Sequence, residues 1–297
     1  MRLARILLLL ALAGPAWGEV STNATYDELL YAATRYGNTE ARRAEKVEAR
    51  AELFRRGPDS LREIMDRLPV DNVMLQVLAM ELVSEHVPAE AGTPLLMGYL
   101  ENEKAETRRM AAYFLGFYPA ALHREALLKL LEDDTTRNAA LRTLGKWKVG
   151  RGRPAMVKAL RESDQERTRV LAANALREVG NDDDLPALIA ALGDPVFTVR
   201  NAAARGVASF GWEAHGPLLK ALDQTEGAAR RQVVRLLGEL QVKAAIRPLR
   251  RLLEQEDAGL RADAARALRQ LGESGAARWL RGPPVERVEG GLLLVAP

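Results

Sequence analysis

Six arginines recur along the chain at a nearly constant interval, and a regular row of guanidinium groups could bind several carboxylates or carbonyls at once. They lie 29 to 32 residues apart and are Arg108, Arg137, Arg169, Arg200, Arg230 and Arg261. Each opens a similar alanine-rich phrase, as in 199–204 and 260–265. An arginine at the same place in every unit favours a structural ladder between stacked units over a row of ligand-binding residues.

Other groups that could do chemistry are few and scattered. The sequence contains no glycine-rich phosphate loop, no His-Glu-x-x-His and no Gly-x-Ser-x-Gly motif. His86, His123 and His215 fall in different repeats near helix ends or turns, so we expect exposed side chains and no shared metal site. The acidic run 182–184 could hold a cation, or could place negative charge at a helix N-terminus ahead of Pro186. The sequence therefore predicts no catalytic residue, no cofactor and no metal site.

Two helices explain each repeat. The helix that carries the ladder arginine, here called the first helix, has apolar residues at helical spacing, such as Val199, Ala203 and Val207. The second helix often begins near a proline, which suits a first helical turn. These prolines are Pro154, Pro186, Pro217 and Pro248. Because neither helix can bury its apolar face alone, the repeats must stack.

Counting back from Arg108 extends the register to Gln76 and Lys46, which gives eight repeats between residues 39 and 283. The pattern of an acidic residue, then Val-Arg or Leu-Arg, then Ala-Ala and Leu-Gly, resembles the HEAT-repeat family. More narrowly, it is similar to the short repeats of phycobilisome lyases. Asp194 with Arg200 carries this motif best.

The resemblance implies an all-α fold, a right-handed α-solenoid of about eight two-helix repeats. It also implies that Asp194 and Arg200 belong to a ladder between neighbouring units, and that the second helices line the concave surface. The chain outside the array is short. Residues 19–38 predict an N-terminal capping helix, and residues 284–297 predict a tail with a small hairpin. That hairpin could cover the last repeat or dock a partner.

Residues 1–18 have a basic start, a short apolar run and small residues near Gly18, which is typical of a secretory signal peptide. We therefore expect an exported protein, periplasmic or secreted, of bacterial origin. Removing this leader takes away Arg2 and Arg5 and lowers the net charge from +3 to +1, which weakens the case for nucleic-acid binding. The chain has no cysteine, which excludes disulfides, thiolate metal sites and a cysteine nucleophile.

Two aromatic residues break the repeat pattern. The fifth and ninth residues after the ladder position point away from the core and are polar in the other repeats compared, but in the third repeat they are Tyr113 and Phe117. An exposed aromatic pair would mark a site for a partner or for self-association. The N-terminal segment or the tail could instead cover it.

The second helices carry cations on the side opposite their apolar face. These residues are Lys129, Lys158, Lys220 and Arg251, with Arg281 in the last repeat and Ala190 as an interruption. They would form a basic stripe along the groove, or simply a solvated polar face with positive charge toward the helix C-termini.

We therefore expect an exported, non-enzymatic scaffold that binds another protein through an acidic or extended segment. The cations of the second helices would line the groove that binds this segment, and Tyr113 and Phe117 would form a second contact with the partner. Two alternatives are a chromophore-lyase-like enzyme, as the resemblance suggests, and a nucleic-acid-binding solenoid. No transmembrane segment is predicted, and the sequence does not indicate the partner's identity or the oligomeric state.

Overall fold

The computed structural model describes residues 24–37, 39–68, 73–119, 123–273, 275, 285–288 and 291–294. The leader predicted for residues 1–18 and Arg281 lie outside these residues. From residue 24 to residue 273 the described chain is helical, with short turns, so the predicted all-α fold of stacked repeats is confirmed. Among the described residues, no helix has the length and apolarity that crossing a membrane requires.

Sixteen α-helices lie in the described residues. They are α1 (Tyr26–Thr34), α2 (Glu40–Arg56), α3 (Pro58–Arg67), α4 (Val73–Glu81), α5 (Ala89–Tyr99), α6 (Ala105–Leu115), α7 (Arg124–Lys129), α8 (Arg137–Lys146), α9 (Arg153–Glu162), α10 (Glu166–Val179), α11 (Leu185–Ala190), α12 (Phe197–Ala208), α13 (His215–Gln224), α14 (Gly227–Glu239), α15 (Ile246–Leu252) and α16 (Ala258–Gln270). A π-helical turn, Leu82–His86, extends α4. Short 3-10 turns precede most second helices of the later repeats.

The predicted register agrees with the helices. Lys46 lies in α2, Gln76 in α4, and the six ladder arginines lie in the first turn of α6, α8, α10, α12, α14 and α16. The even-numbered helices are therefore the eight first helices. Seven second helices, α3 to α15, fall in the described part of the chain, and residues 276–282, where an eighth would follow, lie outside it.

Local sequence signals begin and end these helices. Thr25 caps α1 in a reciprocal pair with Glu28, because its side chain accepts the Glu28 N–H and the Glu28 carboxylate accepts the Thr25 N–H. Pro154 and Pro186 occupy the first turn of α9 and α11. Gly180 ends α10 with a φ of 66°, a left-handed conformation that favours glycine.

The chain divides into two compact units, one ending at Tyr118 and the other beginning at Pro119. This division falls inside the third repeat, between its first helix α6 and its second helix α7. In the N-terminal unit, α1 packs on α2 and also contacts α4, as expected of a capping helix. The Arg67 guanidinium holds α1 in place through an ion pair with Asp27 at 2.7 Å.

In the C-terminal unit the first helices pack directly on one another. A Cβ on Gly145 would lie 2.8 Å from the Cα of Ala175, and one on Gly238 would lie 2.7 Å from the Cα of Ala267. Helix α8 therefore packs closely on α10, and α14 on α16, while α10 also packs on α12. At the remaining junction of first helices, between α12 and α14, the 3-10 turn Ala191–Gly193 lies against both helices.

The second helices of this unit are spaced more widely, since α9 and α11, and α11 and α13, meet at only a few residues. In a curved stack the row of helices with the shorter spacing is the inner one. From this difference in spacing we infer that the first helices form the inner layer of the C-terminal unit and the second helices the outer layer. The expectation taken from the family resemblance, that the second helices line the concave surface, is the opposite assignment.

Two short strands follow the helices. Strand β1 (Val285–Val288) pairs with β2 (Gly291–Leu294) in antiparallel register, with Val285 opposite Leu294 and Val288 opposite Gly291. The tail of the chain thus contains a hairpin. Whether it covers the last repeat or docks a partner stays a prediction.

Candidate functional site

The ladder arginines perform one recurring task. In five of the six, the guanidinium donates to the backbone carbonyls five and six residues earlier, at 2.7 to 3.2 Å. These five are Arg108, Arg137, Arg169, Arg200 and Arg261. The carbonyls lie where the preceding second helix ends, so they lack partners within that helix. Each of these arginines therefore closes the loop between two helices.

Arg230 is the exception, because its Nε is buried without a hydrogen-bond partner in the described structure. One ladder arginine also reaches the next repeat. Arg169 donates two hydrogen bonds to the Asp194 carboxylate, at 2.7 and 3.1 Å, and both side chains are nearly buried. The resemblance predicts that Asp194 and Arg200 belong to one ladder. In the structure the Arg200 guanidinium donates a hydrogen bond to the backbone carbonyl of Asp194 and not to its carboxylate.

The aromatic pair of the third repeat is half-buried. The ring centroids of Tyr113 and Phe117 lie 5.7 Å apart in an edge-to-face arrangement. The Tyr113 hydroxyl lies 4.0 Å from the Met80 sulfur on α4. Contact with a neighbouring first helix thus covers part of this pair, and it is not a widely exposed patch.

The four cations predicted for the groove are exposed and lie on second helices. They are Lys129 on α7, Lys158 on α9, Lys220 on α13 and Arg251 on α15. If the second helices form the outer layer, these side chains do not line the inner surface of the C-terminal unit. That they form a basic stripe along a groove stays a prediction.

The inner layer carries a different row of cations. The fifth residue after the ladder arginine is arginine in four of the five repeats of the C-terminal unit, and asparagine in the other. We call these four residues the inner stripe: Arg142, Arg205, Arg235 and Arg266. Arg142, Arg205 and Arg266 are exposed and Arg235 is half-buried. The sequence shows this row, but a polar residue at a position that points away from the core indicates only ordinary solvent exposure.

One buried carboxylate organises the end of the inner stripe. Asp263 on α16 is only 2% exposed and accepts hydrogen bonds from three guanidinium groups. Arg231 Nε lies 2.7 Å away, Arg235 donates through Nε at 3.0 Å and Nη2 at 3.1 Å, and Arg266 Nη1 lies at 3.0 Å. An open pocket between α14 and α16 borders this cluster, and its lining includes Glu239 and Gln270.

The charges of this cluster stabilise one another. Burial alone would raise the pKa of the Asp263 carboxyl, but the hydrogen bonds from Arg235 and Arg231 outweigh it and hold the pKa below its usual value. The same contact raises the pKa of Arg231. A sequence signal existed, because the position of Asp263, two residues after the ladder arginine, is apolar in most of the other repeats.

The histidines form no joint site in the described structure. His86 is exposed and stacks on Phe54 with 4.0 Å between ring centroids, and His215 is half-exposed. His123 differs from the expectation of exposure, because it is 2% exposed and neither ring nitrogen has a hydrogen-bond partner. Burial lowers the pKa of its imidazole.

In the acidic run, Asp184 is nearly buried and pairs with Arg153 on α9 through bonds of 2.8 and 3.1 Å. It therefore joins two repeats just before α11 begins. Within the described residues, no group of three or more acidic or histidine side chains could hold a metal ion.

Comparisons with known proteins agree with this architecture. The sequence model of HEAT repeats matches residues 124–208 and 216–282, just over half of the chain, and the predicted resemblance is thereby confirmed. Among curated proteins, no sequence matches the chain.

Several solved structures are similar in fold. Escherichia coli YibA is 15% identical over 83% of this chain and 91% of that one, with a TM-score of 0.52. The CpcE–CpcF complex of phycocyanin lyase from Nostoc sp. is 21% identical over 75% of this chain and 93% of that one, with a TM-score of 0.42. Human deoxyhypusine hydroxylase is 17% identical over 84% and 96%, with a TM-score of 0.35. At these identities the likeness concerns the fold alone.

Proposed function

Because the chain belongs to the HEAT-repeat family, we propose that it is a non-enzymatic scaffold that binds an acidic, extended segment of another protein. The fold by itself does not decide the function. The observation that carries the proposal is the inner stripe, a row of arginines on the inner layer of the C-terminal unit. Guanidinium groups bind carboxylates in a planar, two-pronged geometry, which suits an acidic ligand.

The spacing of the stripe supports an extended ligand. Packed helices lie roughly 8–10 Å apart, and an extended chain rises about 3.3 Å per residue. One repeat therefore corresponds to about three residues of an extended segment. We expect a ligand that presents an acidic side chain every two or three residues.

Export is the second part of the proposal. The basic start, apolar run and small residues of positions 1–18 support a cleaved leader, and hence a periplasmic or secreted protein. The N-terminal residue of the processed chain is the measurement that tests this part.

The sixth repeat, with first helix α12 and second helix α13, carries a cation on each of its two helices. The best matched pair is Arg205 on α12 and Lys220 on α13, which are both exposed. We expect Arg205→Glu to weaken binding of a fluorescein-labelled octaglutamate peptide roughly three- to tenfold at low salt, as reversal of an exposed charge can. Lys220→Glu should change the affinity less than twofold. Fluorescence anisotropy measures both.

Equal losses in the two variants would show a general charge effect and would remove the inner stripe from the proposal. The binding should also weaken as salt is raised, because exposed charges are screened. A single-stranded oligonucleotide is the competing probe. If it binds more tightly than octaglutamate and depends on Arg205, the nucleic-acid alternative replaces the proposal.

A further inference from the structure

We propose that the open pocket between α14 and α16 is a dedicated carboxylate-binding site that anchors one acidic side chain of the partner segment. This inference rests on the proposed function and adds to it a fixed anchor point. Arg235 and Arg266 would hold the carboxylate, and Asp263 would hold the two arginines in position.

The guanidinium groups of this pocket are oriented before any ligand arrives. Each arginine has five N–H donors, and three arginines have fifteen. Only four hydrogen bonds from these donors go to Asp263. The other donors make no further hydrogen bond within the described structure, although the bonds to Asp263 fix the planes in which they lie. Fixed donors bind more tightly than mobile ones because less side-chain entropy is lost.

The arginines remain accessible while their partner is buried. The side chains of Arg235 and Arg266 are 36% and 50% exposed, whereas that of Asp263 is 2% exposed. A ligand in the pocket therefore meets mainly guanidinium edges, because most of the Asp263 side chain, which also lines the pocket, is covered. Gln270, which also lines the pocket, adds an amide that can donate a hydrogen bond.

The side chains that line the pocket are balanced in charge, since Arg235 and Arg266 face the carboxylates of Asp263 and Glu239, and Arg231 also lies near Asp257. A ligand with a single negative charge adds less repulsion than a phosphate ester, which would bring nearly two negative charges next to Asp263 and Glu239. We therefore assign the site to a carboxylate.

Charge-conserving substitutions separate this site from the general attraction of the inner stripe. Lysine keeps the charge but lacks the two-pronged geometry of arginine. We expect Arg235→Lys to weaken octaglutamate binding about fivefold or more, and Arg266→Lys to weaken it similarly. Arg205→Lys, at a stripe position outside the pocket, should leave the affinity within twofold. The melting temperature of each variant, followed by circular dichroism, reports whether it is folded.

Arg266→Lys is the more reliable variant if Arg235→Lys melts early, since Arg266 makes a single hydrogen bond to Asp263. If both folded lysine variants bind like the parent while Arg205→Glu binds weakly, the pocket is not an anchor and the proposed function stands. If Arg205→Glu also binds octaglutamate like the parent, the proposed function is wrong, and the inference about the pocket falls with it. A peptide with phosphoserine at one central position should bind no more tightly than octaglutamate. Tighter binding that Arg235→Lys abolishes would overturn the carboxylate assignment.

Discussion

At the scale of single residues, arginine has different roles at different positions of the repeat. An arginine at the ladder position closes a loop by donating to two carbonyls, as Arg200 does. An arginine five residues later lies on the inner layer and meets solvent, as Arg205 does. The sequence shows both the ladder arginines and the inner stripe. Only the contacts of each guanidinium in the structure distinguish an arginine that closes a loop from one that is available to a ligand.

His123 gives a prediction at the same scale. Because burial lowers the pKa of the folded state, the unfolded chain binds this proton more readily. The histidine's contribution to stability is therefore present above the unfolded pKa of about 6.5 and is lost as pH falls toward the folded value. We expect His123→Leu to flatten the change in unfolding free energy between pH 7.5 and pH 5, measured by urea denaturation.

His123→Leu should also be neutral or stabilising at pH 7.5, by up to about 1 kcal/mol, because it removes a buried group without hydrogen-bond partners. The matched control is His215→Gln, at a half-exposed histidine, which should retain the parent's dependence on pH. An unchanged slope in His123→Leu would show that other groups cause the acid sensitivity.

At the scale of helices, two glycines of α5 provide a matched pair. A Cβ on Gly92 would overlap the hydroxyl and ring of Tyr118, which is 3% exposed and donates to the Val87 carbonyl at 3.2 Å. A Cβ on Gly98 would meet no atom within 4 Å. We expect Gly92→Ala to destabilise the protein by about 1–3 kcal/mol, and Gly98→Ala to stabilise it by up to about 1 kcal/mol, since alanine favours a helix.

Urea or thermal unfolding of the two variants measures this difference. A loss of stability in Gly98→Ala as large as that in Gly92→Ala would mean that α5 does not tolerate alanine for a reason unrelated to Tyr118. The predicted contrast exists because only one of the two glycines permits a close approach between a helix and an aromatic ring.

Helix positions could be predicted from sequence because they follow from periodicity and from local signals, such as Pro154 and Pro186 at the starts of α9 and α11. The assignment of inner and outer layers could not, because it depends on how closely neighbouring helices approach. That distance is set by pairs of small residues from different repeats, such as Gly145 with Ala175. For this reason the sequence alone does not identify the inner stripe as a candidate binding surface, although it shows all four arginines.

At the scale of the whole molecule, charge is distributed unevenly along the chain. Residues 19–100 carry a net charge of −5, and residues 201–297 carry +4. The basic end contains three of the four arginines of the inner stripe, together with the pocket beside Asp263. This polarity supports an acidic ligand for the C-terminal unit, because charges of one sign over a surface raise the local concentration of the opposite sign.

The proposed export gives the prediction at this scale. We expect a bacterial host that expresses the full chain to release it from the cytoplasm as a product beginning at Glu19, identified by mass spectrometry of the intact protein. Loss of Arg2 and Arg5 with the leader also lowers the isoelectric point. Leu9→Arg should block processing, because a charge interrupts the short apolar run that the export machinery recognises, whereas Leu9→Ile should not. A chain that keeps Met1 and stays in the cytoplasm in all three forms would overturn export, and the binding partner would then have to be a cytoplasmic protein.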